Sequence, residues 1–229
     1  MTQLSLNALP GLLQLTSTML PVGAYSYSQG LEAACEAKIV RDRDSAGRWI
    51  GDVLQFNIAT MEVPVAARLY RAWQSGDLNS AAYWNDYFLA ARETAELRAE
   101  TEQMGYSLAK LLVDGKFCDV ADVAKLADMQ PKGFPAAFSF AAVSFSVPIN
   151  EAITAYLWSW LENQVIAAVK LVPLGQVAGQ SLLFQLGQDI PRIVDNALAL
   201  EDEALCNFSP GLAILSGQHE TQYSRLFRS

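Results

Sequence analysis

The sequence predicts an all-α protein, a single-domain helical bundle of roughly ten helices around one buried central helix. Apolar residues recur at three- and four-residue steps between proline and glycine breaks, as in helices that pack on one face. The alternating polar and apolar runs of half-buried strands are missing. The chain has 229 residues, 52% of them hydrophobic, which is enough for a sizeable core. Neither a repeat nor a low-complexity linker divides it, so residues 1–229 are expected to form one domain.

The central helix is predicted over residues 150–172. Asn150 can cap its start, and Pro173 ends it because the residue before a proline is disfavoured in the α conformation. Its polar side chains do not share one face, so the helix is expected to be buried on most sides. A transmembrane span is the rival interpretation, which is opposed by the mid-segment polar residues Glu162, Asn163 and Gln164.

Caps, breaks and periodicity place the remaining helices. Pro21 and Gly23 predict a turn after the first of them, and Pro64 predicts a kink in the third. The small residues of the run 134–147 suit either the protein interior or a symmetric helix interface. The expected helices span residues 11–15, 31–38, 44–74, 78–91, 92–114, 119–128, 134–147, 176–186 and 190–206.

Composition restricts the classes of partner and the compartment. The net charge of −8 disfavours nucleic acid, whose phosphates require clustered Lys and Arg, and is compatible with basic protein partners. Three widely spaced cysteines without a CxxC pair indicate reduced thiols. The first basic residue is Lys38, so a secretory signal with a basic start is not expected. These features predict a soluble cytoplasmic chain without a membrane segment.

Catalytic motifs give little support for an enzyme, and no cofactor or metal site is expected. The sequence lacks the glycine-rich nucleotide loops, the HExxH zinc motif and the GxSxG nucleophile motif. The acidic residues between 93 and 102 are interpreted as a solvated helix face with salt-bridge partners. The single histidine, His219, is followed by Glu220. That pair could act as an acid and base in a cofactor-free helical enzyme, but a histidine that supports docking is favoured.

The segment 170–182 is the first of two that resist a purely structural interpretation. Lys170 lies in the last turn of the predicted central helix, where a cation complements the helix dipole. Glycines at 175 and 179 leave one helix face as bare backbone, which permits close contact with either the same monomer or a partner. The residues singled out here as partner-binding are Lys170, Gln176, Gly179 and Gln180.

The second segment is the C-terminal stretch at about 217–229, which is predicted to be a docking tail. Tyrosine and arginine are the residue types that most often anchor interfaces, and a chain end stays frayed unless it is docked. The tail therefore packs on its own body, orders on a partner, or does both in sequence. The tail candidates are His219, Glu220, Tyr223, Arg225, Leu226 and Phe227, and the loop near the N-terminus adds the closely spaced Tyr25 and Tyr27.

Together these segments resemble the urease accessory protein F (UreF) family over nearly the whole chain. The stretches that carry the resemblance are LPVGAYSYSQGLE at 20–32, ELRAETEQMGYSL at 96–108, KLVPLGQVAGQSLL at 170–183 and QHETQYSRLFRS at 218–229. Gln218 stands where the family usually has Arg, and Ala178 where it often has Asp.

The resemblance implies a non-enzymatic, all-helical scaffold that forms homodimers. Such proteins bind the accessory protein UreD, called UreH in some organisms, and the pair recruits the GTPase UreG to deliver nickel to apo-urease. By position, Tyr25 and Arg225 match residues tied to the C-terminal region and partner recruitment, and Lys170 matches a position near the surface facing the GTPase. His219, Glu220 and Tyr223 match the C-terminal signature. A general helical adaptor unrelated to nickel remains the alternative.

Overall fold

The computed structural model describes residues 4–229, which fold into α-helices joined by short turns, a 3₁₀ turn at Ala24–Ser26 and another at Asp202–Ala204. The all-α prediction is confirmed. The α-helices are α1 Leu9–Leu15, α2 Leu31–Glu36, α3 Arg43–Val53, α4 Val63–Ser75, α5 Leu78–Ala90, α6 Ala95–Asp114, α7 Val120–Asp128, α8 Phe134–Ser144, α9 Ile149–Leu171, α10 Gln176–Gly187, α11 Ile190–Ala199 and α12 Pro210–His219.

The helix at the centre of the bundle is α9, as the sequence predicts. It packs against α4, α10 and α11 and also contacts α2, and Leu157, Leu161 and Ala168 are fully buried. It begins at Ile149, one residue before the predicted cap, because Pro148 supplies an extended residue at the helix start. Between residues 4 and 229, no helix is both long and apolar enough to cross a membrane.

The second layer is α8, which lies between α4 and α6. Its small residues Ala137, Ala141 and Ala142 have no exposed surface. The run 134–147 therefore lies in the protein interior, one of the two locations that its small residues allowed. The hydroxyl of Ser139 donates to the carbonyl oxygen of Ala66 at 2.9 Å, which satisfies a polar group inside this close packing.

The long helix expected at 44–74 is continuous but contains a π-helical segment, Leu54–Glu62, between α3 and α4. Pro64 lies in the first turn of α4 and has no N–H to donate to the carbonyl of Thr60, four residues earlier. That carbonyl instead accepts the N–H of Cys206 at 3.0 Å. The proline therefore coincides with a change of helix register. The helix is capped by Asp42, which accepts the N–H of Ser45 at 2.8 Å.

The predicted helix at 190–206 was too long. It ends at Ala199, and Leu200 is extended, because the guanidinium of Arg68 binds the Leu200 carbonyl at 2.6 Å and Asp202 at 2.7 Å. A further helix, α12, was not predicted, and only its last three residues fall within the predicted tail. This helix packs on α2 and places His219 at its last position.

Candidate functional site

The segment between α1 and α2 folds into a tight turn at residues 21–30, here called the tyrosine loop. Gly23 has a φ of +80° and Gly30 a φ of +77°, both in the left-handed region that favours glycine. The 3₁₀ turn between them leaves Tyr25 65% exposed, whereas Tyr27 is 5% exposed. The loop therefore turns one tyrosine to solvent and buries the other.

Because α12 ends at His219, the name tail is used from here on for residues 220–229 alone. These residues run back along the tyrosine loop. The carbonyl oxygen of Ser229 accepts the N–H groups of Ser28 at 2.8 Å and Gln29 at 3.1 Å, and the Ser28 hydroxyl at 2.6 Å. The N–H of Arg228 donates to the carbonyl oxygen of Ser26 at 2.8 Å. These bonds join two segments that lie at opposite ends of the sequence, so each holds the other in place.

The carboxylate of Glu32, in the first turn of α2, holds the middle of the tail. It accepts the backbone N–H groups of Leu226 at 2.7 Å and Phe227 at 2.8 Å, and it contacts Nε2 of His219 at 3.1 Å. Glu32 is 7% exposed and Phe227 5%. Hydrogen bonds to an ionised acceptor are shorter and stronger than neutral ones, so one buried carboxylate fixes the backbone of two tail residues.

The first turn of α6 makes the second set of contacts. One carboxylate oxygen of Glu96 lies 2.6 Å from Nδ1 of His219, and the other accepts from the guanidinium of Arg225 at 2.5 Å. The carboxylate of Glu220 accepts the N–H groups of Ala95 at 2.9 Å and Glu96 at 3.3 Å, which adds a cap to the start of the helix. The start of α6 is therefore tied to the end of α12 and to the tail.

The central helix α9 forms hydrogen bonds to the tyrosine loop. Asn163 donates to the carbonyl oxygen of Tyr27 at 3.1 Å, and the indole N–H of Trp160 donates to the side-chain oxygen of Gln29 at 2.7 Å. Burial and, secondly, the nearby charge of Glu100 raise the pKa of Tyr27. The loop is thus bonded to α9 on its inner side and to the tail along its length.

A cavity of about 110 Å³ lies beneath the loop, lined by residues of α1, α6 and α9. Glu100 lines it and accepts the side-chain N–H of Gln29 at 2.8 Å and the hydroxyl of Ser229 at 2.7 Å. Burial raises the pKa of Glu100 to about 7, against the lowering effect of these two hydrogen bonds. The carboxyl group that holds the last residue of the tail can therefore change its charge near neutral pH.

The same cavity is also lined by the charged residues Glu62 and Arg92 and by Tyr156. The hydroxyl of Tyr156 donates to Glu62 at 2.5 Å, and the guanidinium of Arg92 lies 3.3 Å from the other oxygen of the same carboxylate. Burial, followed by the charge of Glu62, raises the pKa of Tyr156 well above its usual value, so the phenol stays a donor. Glu62 is the last residue of the π-helical segment, which connects that irregular turn to the cavity.

The outer side of the docked tail carries exposed apolar and aromatic groups. Tyr223 is fully exposed, and Leu226 is 64% exposed. The ammonium group of Lys170, at the end of α9, lies 5.4 Å from the centre of the Phe227 ring, within the range of a cation–π contact. Exposed aromatic and apolar residues beside a cation are typical of protein interfaces.

The position of His219 differs from what acid–base catalysis with Glu220 requires. The ring has no exposed surface, and its nitrogens contact Glu32 and Glu96, whereas the carboxylate of Glu220 caps α6. The two nitrogens point to opposite sides of the ring and cannot bind one ion together. Within residues 4–229, no group of three or more His, Cys, Asp or Glu side chains could hold a metal ion.

The structure brings most of the sequence-predicted residues into one region. Those with exposed side chains there are Tyr25, Lys170, Glu220, Tyr223, Arg225 and Leu226. Those buried beneath them are Tyr27, His219 and Phe227. Gln176 and Gln180 are exposed on α10, whereas Gly179 is buried against α9, where an added Cβ would lie 2.7 Å from Val169.

Sequence reasoning missed the residues of the body that hold the tail. The acidic stretch of α6 was interpreted as solvated, which fits the exposed Arg98–Glu102 pair but not Glu96 or Glu100, whose side chains turn inward. A signal was present. Residues 96, 100, 104 and 108 follow at four-residue steps and therefore share a face, on which Met104 and Leu108 are buried.

Comparison with known proteins identifies the family of this chain. The family model described as UreF matches residues 40–187. The "Urease accessory protein UreF" of Azoarcus sp. (strain BH72) is 54% identical, over 95% of this chain and 94% of its own. The protein of the same name from Dechloromonas aromatica (strain RCB) is 52% identical, over 95% of this chain and 96% of its own. That from Cupriavidus metallidurans is also 52% identical, over 98% of this chain and 100% of its own. The chain therefore belongs to the UreF family of urease accessory proteins.

Proposed function

We propose that this protein is a scaffold in urease maturation that binds UreD (UreH) and the GTPase UreG together and so directs nickel to apo-urease. In this proposal it works in the cytoplasm, catalyses no reaction itself, and couples GTP hydrolysis by UreG to the release of nickel. The observation that carries the proposal is the docked tail, because its hydrogen bonds to the body fix an exposed surface of aromatic, apolar and basic groups.

The contacts favour recognition of proteins over chemistry on a small molecule. Tyr25, Tyr223 and Leu226 are exposed, while the groups that could perform acid–base chemistry are held by other protein groups. Interfaces are enriched in tyrosine and arginine, and a preorganised surface loses less entropy when it binds. The tail surface is therefore assigned to UreD and UreG, with Lys170 on the side that faces the GTPase.

We also infer that the protein functions as a homodimer, the state implied by its family. A groove between α1 and α9 is lined by Leu12, Leu13, Ala155 and Trp158, of which Leu13 is 60% exposed and Trp158 37% exposed. An exposed apolar groove of this kind supports association. Sedimentation equilibrium of the purified chain measures the mass directly, and a purely monomeric species would contradict the dimer.

The test of the proposal is a pull-down with purified UreD and UreG. Deletion of residues 223–229 is expected to abolish capture of the partners while the helical content, measured by circular dichroism, is retained. Because the deletion also removes buried contacts, a second variant combines Tyr223→Ala with Leu226→Ala and changes only exposed side chains. Tyr83→Ala, an exposed tyrosine on α5, is the matched control. Full capture by both tail variants would remove the tail from the partner surface.

A further inference from the structure

The cavity beneath the tyrosine loop has an apolar wall and an opening on the partner surface. Its apolar lining consists of Leu15, Leu20, Val22, Met104, Phe134 and Ile166. The exposed residues Thr18 and Tyr25 also line it, so it opens to solvent beside the loop. Its volume of about 110 Å³ is several times the roughly 10–15 Å³ that one water molecule needs, which leaves room for a side chain. A partner that contacts Tyr25 therefore lies at the opening of the cavity.

The charged groups of the cavity do not balance one another. The guanidinium of Arg92 lies 3.3 Å from the carboxylate of Glu62, so these two charges compensate each other. Glu100 and Glu162 also line the cavity, and neither takes part in any ion pair formed within residues 4–229. An ionised carboxylate in a largely apolar cavity is costly unless a cation pairs with it. The cavity thus has two carboxyl groups that lack a cationic partner.

Both carboxyl groups show the effect of burial without a cation. Burial raises the pKa of Glu100 to about 7, although the hydrogen bonds from Ser229 and Gln29 act to lower it. Burial also raises the pKa of Glu162. Near neutral pH, Glu100 is therefore about half protonated. A cation placed beside these groups would favour their charged form and lower both pKa values.

We propose that this cavity receives a lysine side chain of a partner bound at the tail surface, with its ammonium group bound to the carboxylates of Glu100 and Glu162. The four-carbon stem of lysine packs on the apolar wall, and the compact ammonium group has three donors for the two carboxylates. Its positive charge replaces the proton that Glu100 carries in the free protein. This step rests on the function proposed above, since UreD and UreG are the partners that would supply the lysine.

The first test needs no partner protein. The probe is n-butylammonium chloride, which has the stem and the ammonium group of a lysine side chain, and n-butanol is the uncharged control. In the full chain labelled with ¹³C-glutamate, nuclear magnetic resonance at pH 7 follows the ionisation of each carboxyl group, and Glu100→Gln identifies the signal of Glu100. We expect n-butylammonium, but not n-butanol, to move that signal saturably to its ionised position.

The control for the site is Ser159→Leu, which fills the cavity and keeps its charges. The hydroxyl of Ser159 donates to the carbonyl oxygen of Ala155 in the same helix, so its loss removes no bond between elements. In this variant n-butylammonium should leave the signal of Glu100 in place. A signal that does not respond in the wild-type chain, or that responds equally in Ser159→Leu, would overturn the proposal.

The second test measures binding of UreD and UreG by titration calorimetry. Because Glu100 also binds Ser229 in the tail, affinity is compared in Glu162→Gln and Ser159→Leu. Both should bind about tenfold or more weakly, the effect of losing one charge-assisted hydrogen bond. Glu102→Gln should bind like wild type, because Glu102 is paired with Arg98 on the outer side of α6.

Proton release distinguishes the ion pair from a change in shape. Calorimetry at pH 7 in buffers of different ionisation enthalpy should show that complex formation releases about half a proton more from wild type than from Glu100→Gln. Equal affinities and equal proton release would refute the lysine in the cavity and leave the proposed function standing. If wild type bound neither UreD nor UreG, the proposed function would fail and the lysine with it, while the n-butylammonium titration would still report on the cavity.

Discussion

Replacement of Glu32 by glutamine tests the bond between the body and the tail. The carboxylate accepts the N–H groups of Leu226 at 2.7 Å and Phe227 at 2.8 Å, one on each oxygen. Glutamine has the same shape but only one oxygen, so one buried N–H group loses its acceptor and faces an NH₂ group. Loss of one charge-assisted hydrogen bond costs about 1.5–3 kcal/mol. The docking equilibrium of the tail should fall by about 10- to 150-fold.

Trypsin cleavage after Arg225 provides the assay. While the tail opens and closes rapidly, the cleavage rate follows the fraction of open molecules, so Glu32→Gln should be cleaved faster by the same factor. Mass spectrometry detects the loss of residues 226–229. Glu36→Gln, one turn further along the same helix and exposed, removes an equal charge without touching the tail. If both variants were cleaved at the wild-type rate, Glu32 would not hold the tail, and the reasoning would be wrong.

Three further predictions concern recruitment, packing and pH. Arg225→Ala should weaken binding of the GTPase UreG by more than ~1.4 kcal/mol, a tenfold loss of affinity measurable by titration, and unchanged affinity would count against the assignment. Gly105→Ala should lower the free energy of unfolding, measured in urea, by about 1–3 kcal/mol, because the added Cβ would meet the backbone of Lys132. Gly211→Ala is the control and should have a small effect, because no atom lies within 4 Å of the added Cβ. Burial raises the pKa of Glu100 from 4.5 to about 7, so the wild-type fold loses stability as the pH rises through that interval. The free energy of unfolding of Glu100→Gln should therefore increase relative to wild type from pH 5 to 8. A difference that stays constant over this range would contradict the prediction.

The fold class and most helices could be predicted from the sequence because apolar spacing and helix breakers are local signals. The central helix was placed to within one residue at each end. The failures lie where a distant group decides the local structure. Arg68 binds the Leu200 carbonyl and so favours the end of α11 at Ala199, and no pattern near residue 200 indicates that contact. Likewise, Pro64 leaves the carbonyl oxygen of Thr60 without a helical donor, and the N–H of the distant Cys206 binds it instead.

For the candidate site, the sequence predicted the residues of the tail and the loop but not the residues of the body that bind them. The tail and the tyrosine loop were singled out because Tyr25, Tyr223 and Arg225 are unusual for plain core or for a frayed end. Their partners Glu32 and Glu96 were not, since a carboxylate on a helix looks solvated until the fold shows which charge it faces. The periodicity of α6 held part of that information, but the meeting of segments about 200 residues apart is a property of the tertiary structure alone.

The most direct test of this account is the nickel content of urease matured with UreD, UreG and apo-urease in the presence of this protein, in its absence, and with Glu32→Gln in its place. We expect nickel-loaded urease with the wild-type chain, little nickel without it, and an intermediate content when the tail is released more often. Urease that acquires its full nickel content without this chain would contradict the proposal that it connects the GTPase to its target.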